Sequence, residues 1–402
     1  MAVLRAALLF FITFLVCTES RAQNLLGPVV LSMSETGAYT IVERSDWRRY
    51  DNGRYTGLVR NEVRASILPG QSEYSNSSDG NFLYQGNFFV LQSTLRDMRQ
   101  SAQPVDAVIP VSFELYRDGS MIIEEDRGFP RMRGFPTFPD GGVILGSKWV
   151  APGERAVDPF NSGDPAIIHI RAEYEYRGTE RYQGIQVHRI YARYASRYHN
   201  EEPGANNIVQ IQGNHTVDIL IRAEDGLPVF MRDVLDETYT MTDGSTVRFA
   251  GFTLTFREGI VPMNREEIVV ALEPEDLGDS SIDLVTIPEG IRLTIRDIRF
   301  VPDSSEFLPE EAPRLDLIAE TLKQIPQRTF LVEGHTASTG VPAGEMQLSI
   351  ERAQRMIEEM VKRGINENRF IYKGWGGTRP IGDNSTDEGR SQNRRVEITI
   401  LE

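Results

Sequence analysis

The chain is poor in the residues that thiol and metal chemistry need, with one cysteine and five histidines among its 402 residues. Cys17 sits inside an N-terminal apolar run, which leaves no disulfide framework and no cysteine-ligated metal for the remainder. His169, His188, His199, His215 and His335 are scattered, without a His-Glu-x-x-His pair, and the sequence holds neither a Gly-x-Ser-x-Gly elbow nor a Walker phosphate loop. An enzyme is therefore not expected, nor is a cofactor or metal. Basic charge is also short: 43 Lys and Arg stand against 58 Asp and Glu, a net charge of -15, which argues against nucleic acid or anionic lipid as a partner. After the N-terminus no apolar run approaches the length of a membrane-spanning helix.

What the N-terminus does have is Arg5, an apolar run from Ala6 to Val16, and Ser20-Arg21-Ala22 before Gln23. That pattern reads as a cleaved secretory signal over residues 1–22, with a lipid-modified Cys17 and an uncleaved anchor as the competing outcomes. Val16 counts against lipidation, which favours a small residue before the cysteine. Export places the mature protein in the periplasm.

From Asn24 to about Glu258 the pattern is strand and turn. Asn52-Gly53, Asp79-Gly80, Asp118-Gly119, Asp225-Gly226 and Asp243-Gly244 punctuate apolar runs as hairpin turns do. Ile168, Ile170, Ala172, Tyr174 and Tyr176 share one strand face, with His169, Arg171, Glu173 and Glu175 on the other. Val247 to Phe256 carries apolar residues on both faces and is expected to be buried on both. Two antiparallel β modules are expected, a small one over 23–104 and a larger one over 105–258. A transmembrane barrel would also alternate, but Glu43, Arg44, Asp46, Arg48 and Arg49 charge both faces of one strand, at a cost of roughly 2 to 4 kcal/mol per basic residue near a bilayer midplane. Gly128-Phe129-Pro130 recurs as Gly134-Phe135-Pro136, followed by Phe138-Pro139. Two readings follow: a flap over an apolar cavity, or, preferred, an extended connection whose Phe side chains pack on their own sheet.

The acidic stretch 259–288 reads as a linker, and 289–402 as an α/β domain. Ile291, Leu293 and Ile295 open it as a strand. Leu315, Ile318, Ala319, Leu322 and Ile325 fall at helical spacing before Pro326. Phe330 and Val332 make a second strand, and Ala353, Met356, Ile357, Met360 and Val361 the apolar side of a second helix ending at Gly364. Phe370 to Tyr372 and Val396 to Ile400 supply the last strands, for a βαβαββ order.

Several short motifs occur in order along this region: Glu333-Gly334-His335-Thr336, Leu348-Ser349-x-x-Arg352-Ala353, Gly374-x-Gly376-x-x-x-Pro380, Asn384 with Gly389-Arg390, and Asn393-Arg394-Arg395. Together they resemble the OmpA-like, peptidoglycan-associating C-terminal domain, over about residues 289–402. The resemblance implies a non-catalytic envelope protein, associated with the cell wall or outer membrane, whose partner is the peptidoglycan stem peptide. In that family a Thr-Asp pair after the second strand and the Arg of the Leu-Ser-x-x-Arg-Ala helix hold diaminopimelate, the acid meeting the ammonium and the guanidinium the carboxylate. Thr336 and Arg352 stand at the matching positions, but the acid's place is taken by Ala337, so weakened or altered binding is expected. Glu345, at a family asparagine position, is the candidate replacement acid. Gly334, His335, Asn393 and Arg394 are expected to set motif and loop geometry. The rival reading makes the β region a carrier of an apolar ligand, with the C-terminal domain as a structural or protein-binding module.

Overall fold

The computed structural model describes residues 27–34, 36–70, 81–94, 103–160, 162–260, 263–271, 282–296, 298–301, 304–325 and 328–401. The expected signal segment and the Asp79-Gly80 turn lie outside the described residues. The chain divides into two compact units, one from residues up to 61, 67–85 and 109–260, the other from 62–66, 86–108 and 261–402.

A twelve-stranded sheet dominates the N-terminal region. Its strands are β1 (Tyr39–Asp51), β2 (Arg54–Pro69), β3 (Asn81–Thr94), β4 (Ala107–Tyr116), β5 (Met121–Ile123), β6 (Met132–Arg133), β7 (Lys148–Val157), β8 (Ala166–Tyr182), β9 (Ile185–His199), β10 (Ile208–Arg222), β11 (Pro228–Met241) and β12 (Thr246–Gly259). Each lies beside its sequence neighbour except at one seam, where β1 pairs antiparallel with β12 (Asp51 opposite Val247), leaving β5 and β6 as the edges of a nearly closed, barrel-like sheet. The two expected modules are thus one: strands from both sides of residue 104 share this sheet, because the seam joins chain segments that local alternation cannot relate. Asn52 and Gly53 both take positive φ, 48° and 78°, the backbone a two-residue hairpin turn needs.

In β8, Ile168, Ile170, Ala172, Tyr174 and Tyr176 are buried while His169, Arg171 and Glu173 are exposed. The outward face carries cross-strand ion pairs, among them Arg193–Glu173 at 2.5 Å, Arg189–Asp218 at 3.0 Å and Arg60–Asp46 at 2.7 Å. Such a face suits water. In β12 the expected two-sided burial is incomplete: Val247 and Phe249 are buried, but Phe252, Leu254 and Phe256 are half-buried. The repeated Gly-Phe-Pro stretch packs on its own sheet, with Phe129, Phe135 and Phe138 buried and the Phe135 ring 5.5 Å from Tyr174 and 5.7 Å from Tyr194.

The second unit is an α/β domain. It contains α1 (Arg265–Ala271), β13 (Ile282–Ile287), β14 (Gly290–Ile295), α2 (Ala312–Lys323), β15 (Phe330–Gly334), α3 (Pro342–Lys362), β16 (Phe370–Gly374), α4 (Asp387–Asn393) and β17 (Val396–Leu401). The order differs from the expected βαβαββ by the added strand β13 and by the short helix α4 between the last two strands. Its sheet runs β13-β14-β17-β15-β16, extended at the β16 edge by Gln103–Pro104. The place expected to be a domain boundary is therefore a strand of this sheet. The expected linker 259–288 likewise contributes α1, the buried Met263 and β13, which pairs with β14 along Ile282 to Ile295; residues 272–281 lie outside the described residues.

One face of this sheet, through Phe330, Val332, Phe370, Ile398 and Ile400, meets Leu315, Ile318 and Leu322 of α2 and Ala353, Met356, Ile357 and Met360 of α3 in a single core. Each such aliphatic or aromatic side chain contributes roughly 1.5–3 kcal/mol by leaving water. On the other face Leu331, Ile371 and Leu401 pack with Phe89, Leu91 and Val105. Burial on both faces explains why these strands read as continuous apolar runs instead of alternating ones. α3 ends as its sequence requires: Gly364 takes φ 96°, and the N–H of Ile365 reaches back to Met360 O at 3.2 Å.

Candidate functional site

β15 and β16 are parallel, and β17 runs antiparallel to β15, so the carboxyl ends of two strands and the entry to the third meet at one edge. The motif loops collect there. Gly334 and Gly374, paired across β15 and β16, allow α3 to approach. A Cβ on Gly334 would stand 2.0 Å from the Ser349 carbonyl oxygen, and one on Gly374 2.5 Å from Ser349 Oγ. Ser349 Oγ accepts from Gly376 N at 2.9 Å, and Thr336 N donates to Gly376 O at 2.9 Å, tying the loop after β15 to the loop after β16.

Thr336 is 6% exposed, and its Oγ1 has no hydrogen-bond partner among the described residues. Ala337 beside it is also buried. Arg352 lies one helical turn past Ser349, 5% exposed, with its guanidinium 4.4 Å from the centre of the Phe300 ring and Nε 3.5 Å from Ser304 O. Phe300, stacked at 4.6 Å on Phe307, is a site neighbour that the motif reading missed; the sequence signal was only an aromatic at a strand end.

Glu345 is engaged through one carboxylate oxygen by the turn before α3. Its Oε1 accepts from the N–H groups of Thr339 (2.5 Å), Gly340 (3.0 Å) and Val341 (3.3 Å) and from Thr339 Oγ1 (3.1 Å). These bonds hold the carboxyl below its usual range. The side chain fixes the turn that leads into α3, where Pro342 opens the helix and no N-cap side chain serves it.

Asn393 is fully buried and uses its whole amide: Oδ1 accepts from Ile381 N (2.7 Å) and Gly382 N (2.8 Å), while Nδ2 donates to Gly382 O and Asn384 Oδ1, both at 2.9 Å. Asn384 in turn accepts from Ser338 N at 3.1 Å, so the late loop is anchored to the Thr336 loop. Arg394 is exposed; Arg390, donating to Asn384 O at 2.8 Å, and Arg395, donating to Arg379 O at 3.2 Å, hold the loop. His335 is 1% exposed, and its ring nitrogens lack hydrogen-bond partners among the described residues, the nearest acid being Glu397 at 3.7 Å. Burial pushes its pKa down, which suits packing. The structure thus gathers Gly334, His335, Thr336 and Asn393 into one linked set of loops, with Glu345 bonded to the turn at 339–341 and beside Gly377, seats Arg352 against Phe300 and Ser304, and leaves Arg394 exposed.

A further polar cluster, invisible to motif reading, lies within the first unit. Ser196 Oγ is 3.0 Å from His215 Nε2, and His215 Nδ1 is 3.0 Å from Asp233, an arrangement with the outline of a hydrolase relay. The Glu237 carboxylate, however, lies 3.3 Å from the same Nε2 and 2.7 Å from Arg155, and Ser196 is 1% exposed. Burial opposes charge on His215, yet Asp233 and Glu237 outweigh it and raise its pKa. With Glu237 also at Nε2 and Ser196 closed to solvent, the cluster lacks the open serine that a hydrolase relay needs.

The second unit is an α/β domain whose motif loops cluster at one end of its sheet. Residues 299–394 are an OmpA family domain. Similar proteins include outer membrane protein A of Bordetella avium, 40% identical over 105 residues, which are 26% of this chain and 54% of that protein. The probable lipoprotein YiaD of Escherichia coli is 38% identical over 104 residues, 26% of this chain and 48% of its own length. The peptidoglycan-binding protein ArfA of Mycobacterium tuberculosis is 34% identical over 103 residues, 26% of this chain and 32% of its own. The chain spans between a third and about half the length of these relatives.

Proposed function

We propose that the C-terminal domain tethers this exported, non-catalytic protein to peptidoglycan in the cell envelope, and that the hold is weakened or altered at Ala337. The observation that carries the reading is the similarity to a protein named for peptidoglycan binding, in a domain that keeps Thr336 and Arg352 of the family motif. A buried Thr336 hydroxyl without a partner among the described residues is a group a ligand would satisfy. Because Glu345 is committed to its own turn, it supplies no substitute acid. Loss of one charge-assisted hydrogen bond, about 1.5–3 kcal/mol, lowers affinity by roughly ten- to a hundredfold.

The tether is favoured over the carrier by the β region's interior. A carrier of an apolar ligand needs a cavity of roughly 300 Å³ or more. The inner-face cavity measures about 60 Å³ and is lined by Glu43, Arg131, Arg155 and Asp233. A larger groove of about 720 Å³ mixes Leu58, Val234 and Phe252 with Asp46, Arg48, Arg60 and Asp236, and it is an open groove, not an enclosed interior cavity.

Two measurements test the proposal. The full chain should co-sediment with purified sacculi, and absence of any binding would overturn the tether. Ala337→Asp should strengthen calorimetric binding of a diaminopimelate-containing muropeptide by at least about tenfold, and Arg352→Ala in that background should abolish the gain. No gain, with the fold intact by circular dichroism, would mean that the cleft has diverged beyond this one position.

A further inference from the structure

The inner face of the twelve-stranded sheet holds a cavity of about 60 Å³. At about 10–15 Å³ per water-sized probe, that is room for about four to six waters, or for a group of comparable size. Its charged walls are already engaged: Glu43 with Arg131 at 2.9 Å, Arg155 with Glu237 at 2.7 Å, Asp233 with His215 at 3.0 Å, and Asp158 with the N–H groups of Ser162 and Gly163, both at 2.8 Å. No counter-charge is left over from these pairs for an ionic ligand. Two lining atoms differ. Trp47 Nε1, on a side chain more than nine-tenths buried, and Asn61 Oδ1 are both shielded from solvent and have no hydrogen-bond partner among the described residues.

These two atoms are of opposite sense, one N–H donor and one carbonyl acceptor. A buried donor or acceptor left unmet destabilises the fold, so an occupant that meets both is favoured. The remaining wall is apolar, with Met132, Phe135, Val217 and Met231. The occupant must therefore be neutral, carry an acceptor and a donor on different atoms of a rigid group, and present a small apolar end.

We infer that this cavity binds a small secondary amide of the acetamido type. The amide carbonyl accepts from Trp47 Nε1–H, its N–H donates to Asn61 Oδ1, and its methyl lies against the apolar wall. The planar amide carries its acceptor and its donor on separate atoms of one rigid group, one for each of these two lining atoms. Such a group occurs on N-acetylated amino sugars and on acylated amino acids, and the test separates the two sources. The site belongs to the first unit and stands independently of the tethering reading.

The test follows the indole N–H resonances of the full chain, which has three tryptophans. Trp47→Phe removes one resonance and so assigns it. Titration with N-acetylglucosamine and, separately, with N-acetylalanine methyl ester should move the Trp47 resonance to saturation, whereas glucosamine and alanine methyl ester, which lack the acetamido group, should not. Movement by the sugar alone or by the amino-acid amide alone supports the site and names its source. Asn61→Leu should weaken the response by about tenfold, the loss of one hydrogen bond, with an unchanged thermal melt; Asn61→Ala serves if the leucine variant does not fold. A Trp47 resonance unmoved by both amides, or moved equally by the free amines, would overturn the inference.

Discussion

Each unit buries a histidine among acids and an arginine, and the two histidines end in opposite states. In the first, His215 bonds through both ring nitrogens to Asp233 and Glu237 at 3.0–3.3 Å, and its pKa rises. In the second, burial dominates at His335, whose nearer acid Glu397 stands 3.7 Å away and is held by Arg395 at 2.6 Å, and its pKa falls. Burial penalises charge at both places. The opposite directions follow the acids: at His215 they lie within hydrogen-bond reach and favour the charged ring, whereas at His335 burial prevails.

Removing the acid from the first cluster should break the comparison most severely. Glu237→Leu leaves Arg155 and His215 short of a counter-charge in a site nearly closed to water, and should cost about 3–5 kcal/mol in urea unfolding followed through Trp149. A loss under about 1 kcal/mol would show that Asp233 alone holds the pair.

The next effect belongs to the second unit. Burial raises the Glu397 carboxyl, but His335 and Arg395 more than offset it and bring it down to about 2 from 4.5. A depressed carboxyl stabilises above its unfolded pKa, and that stability is lost as pH falls through the folded value. Between about pH 4.5 and 2 the second unit should lose up to about 3 kcal/mol, read from Trp375 fluorescence, and Glu397→Gln should flatten the dependence.

The smallest effect sharpens the contrast. A raised His215 contributes stability that is full below the unfolded pKa near 6.5 and lost as pH climbs through its folded value. A lowered His335 contributes stability that is full above 6.5 and lost as pH falls. Around neutrality the two units should therefore show melting temperatures of opposite pH slope, separable through Trp149 and Trp375. Parallel slopes would mean that the histidines share one charge state.

Much of the second unit was legible because its signals are local. Helical spacing placed the buried faces of α2 and α3, Gly364 marked a cap, and the ordered motifs located the loops. The role of Glu345 was not legible. Its position suggested a replacement acid, but three backbone N–H groups of the preceding turn claim it, and sequence distance does not reveal which donors a side chain meets. In the first unit, alternation along β8 gave the correct inner face. The His215 cluster went unseen because its members, on β7, β9, β10 and β11, lie far apart in the chain.

Local sequence was enough for the Asn52-Gly53 turn, the faces of β8 and of the helices, and the family of the C-terminal domain. Each depends on residues near one another in the chain, where backbone preference and side-chain period act. Tertiary structure alone decided that β1 closes against β12, that Gln103–Pro104 joins the second sheet beside Ile371 and Tyr372, and that Trp47 and Asn61 face one small cavity. Those are pairings across long stretches of chain, and an edge strand offers the same row of N–H and C=O groups to any partner, so the partner is chosen by the packing of the whole fold.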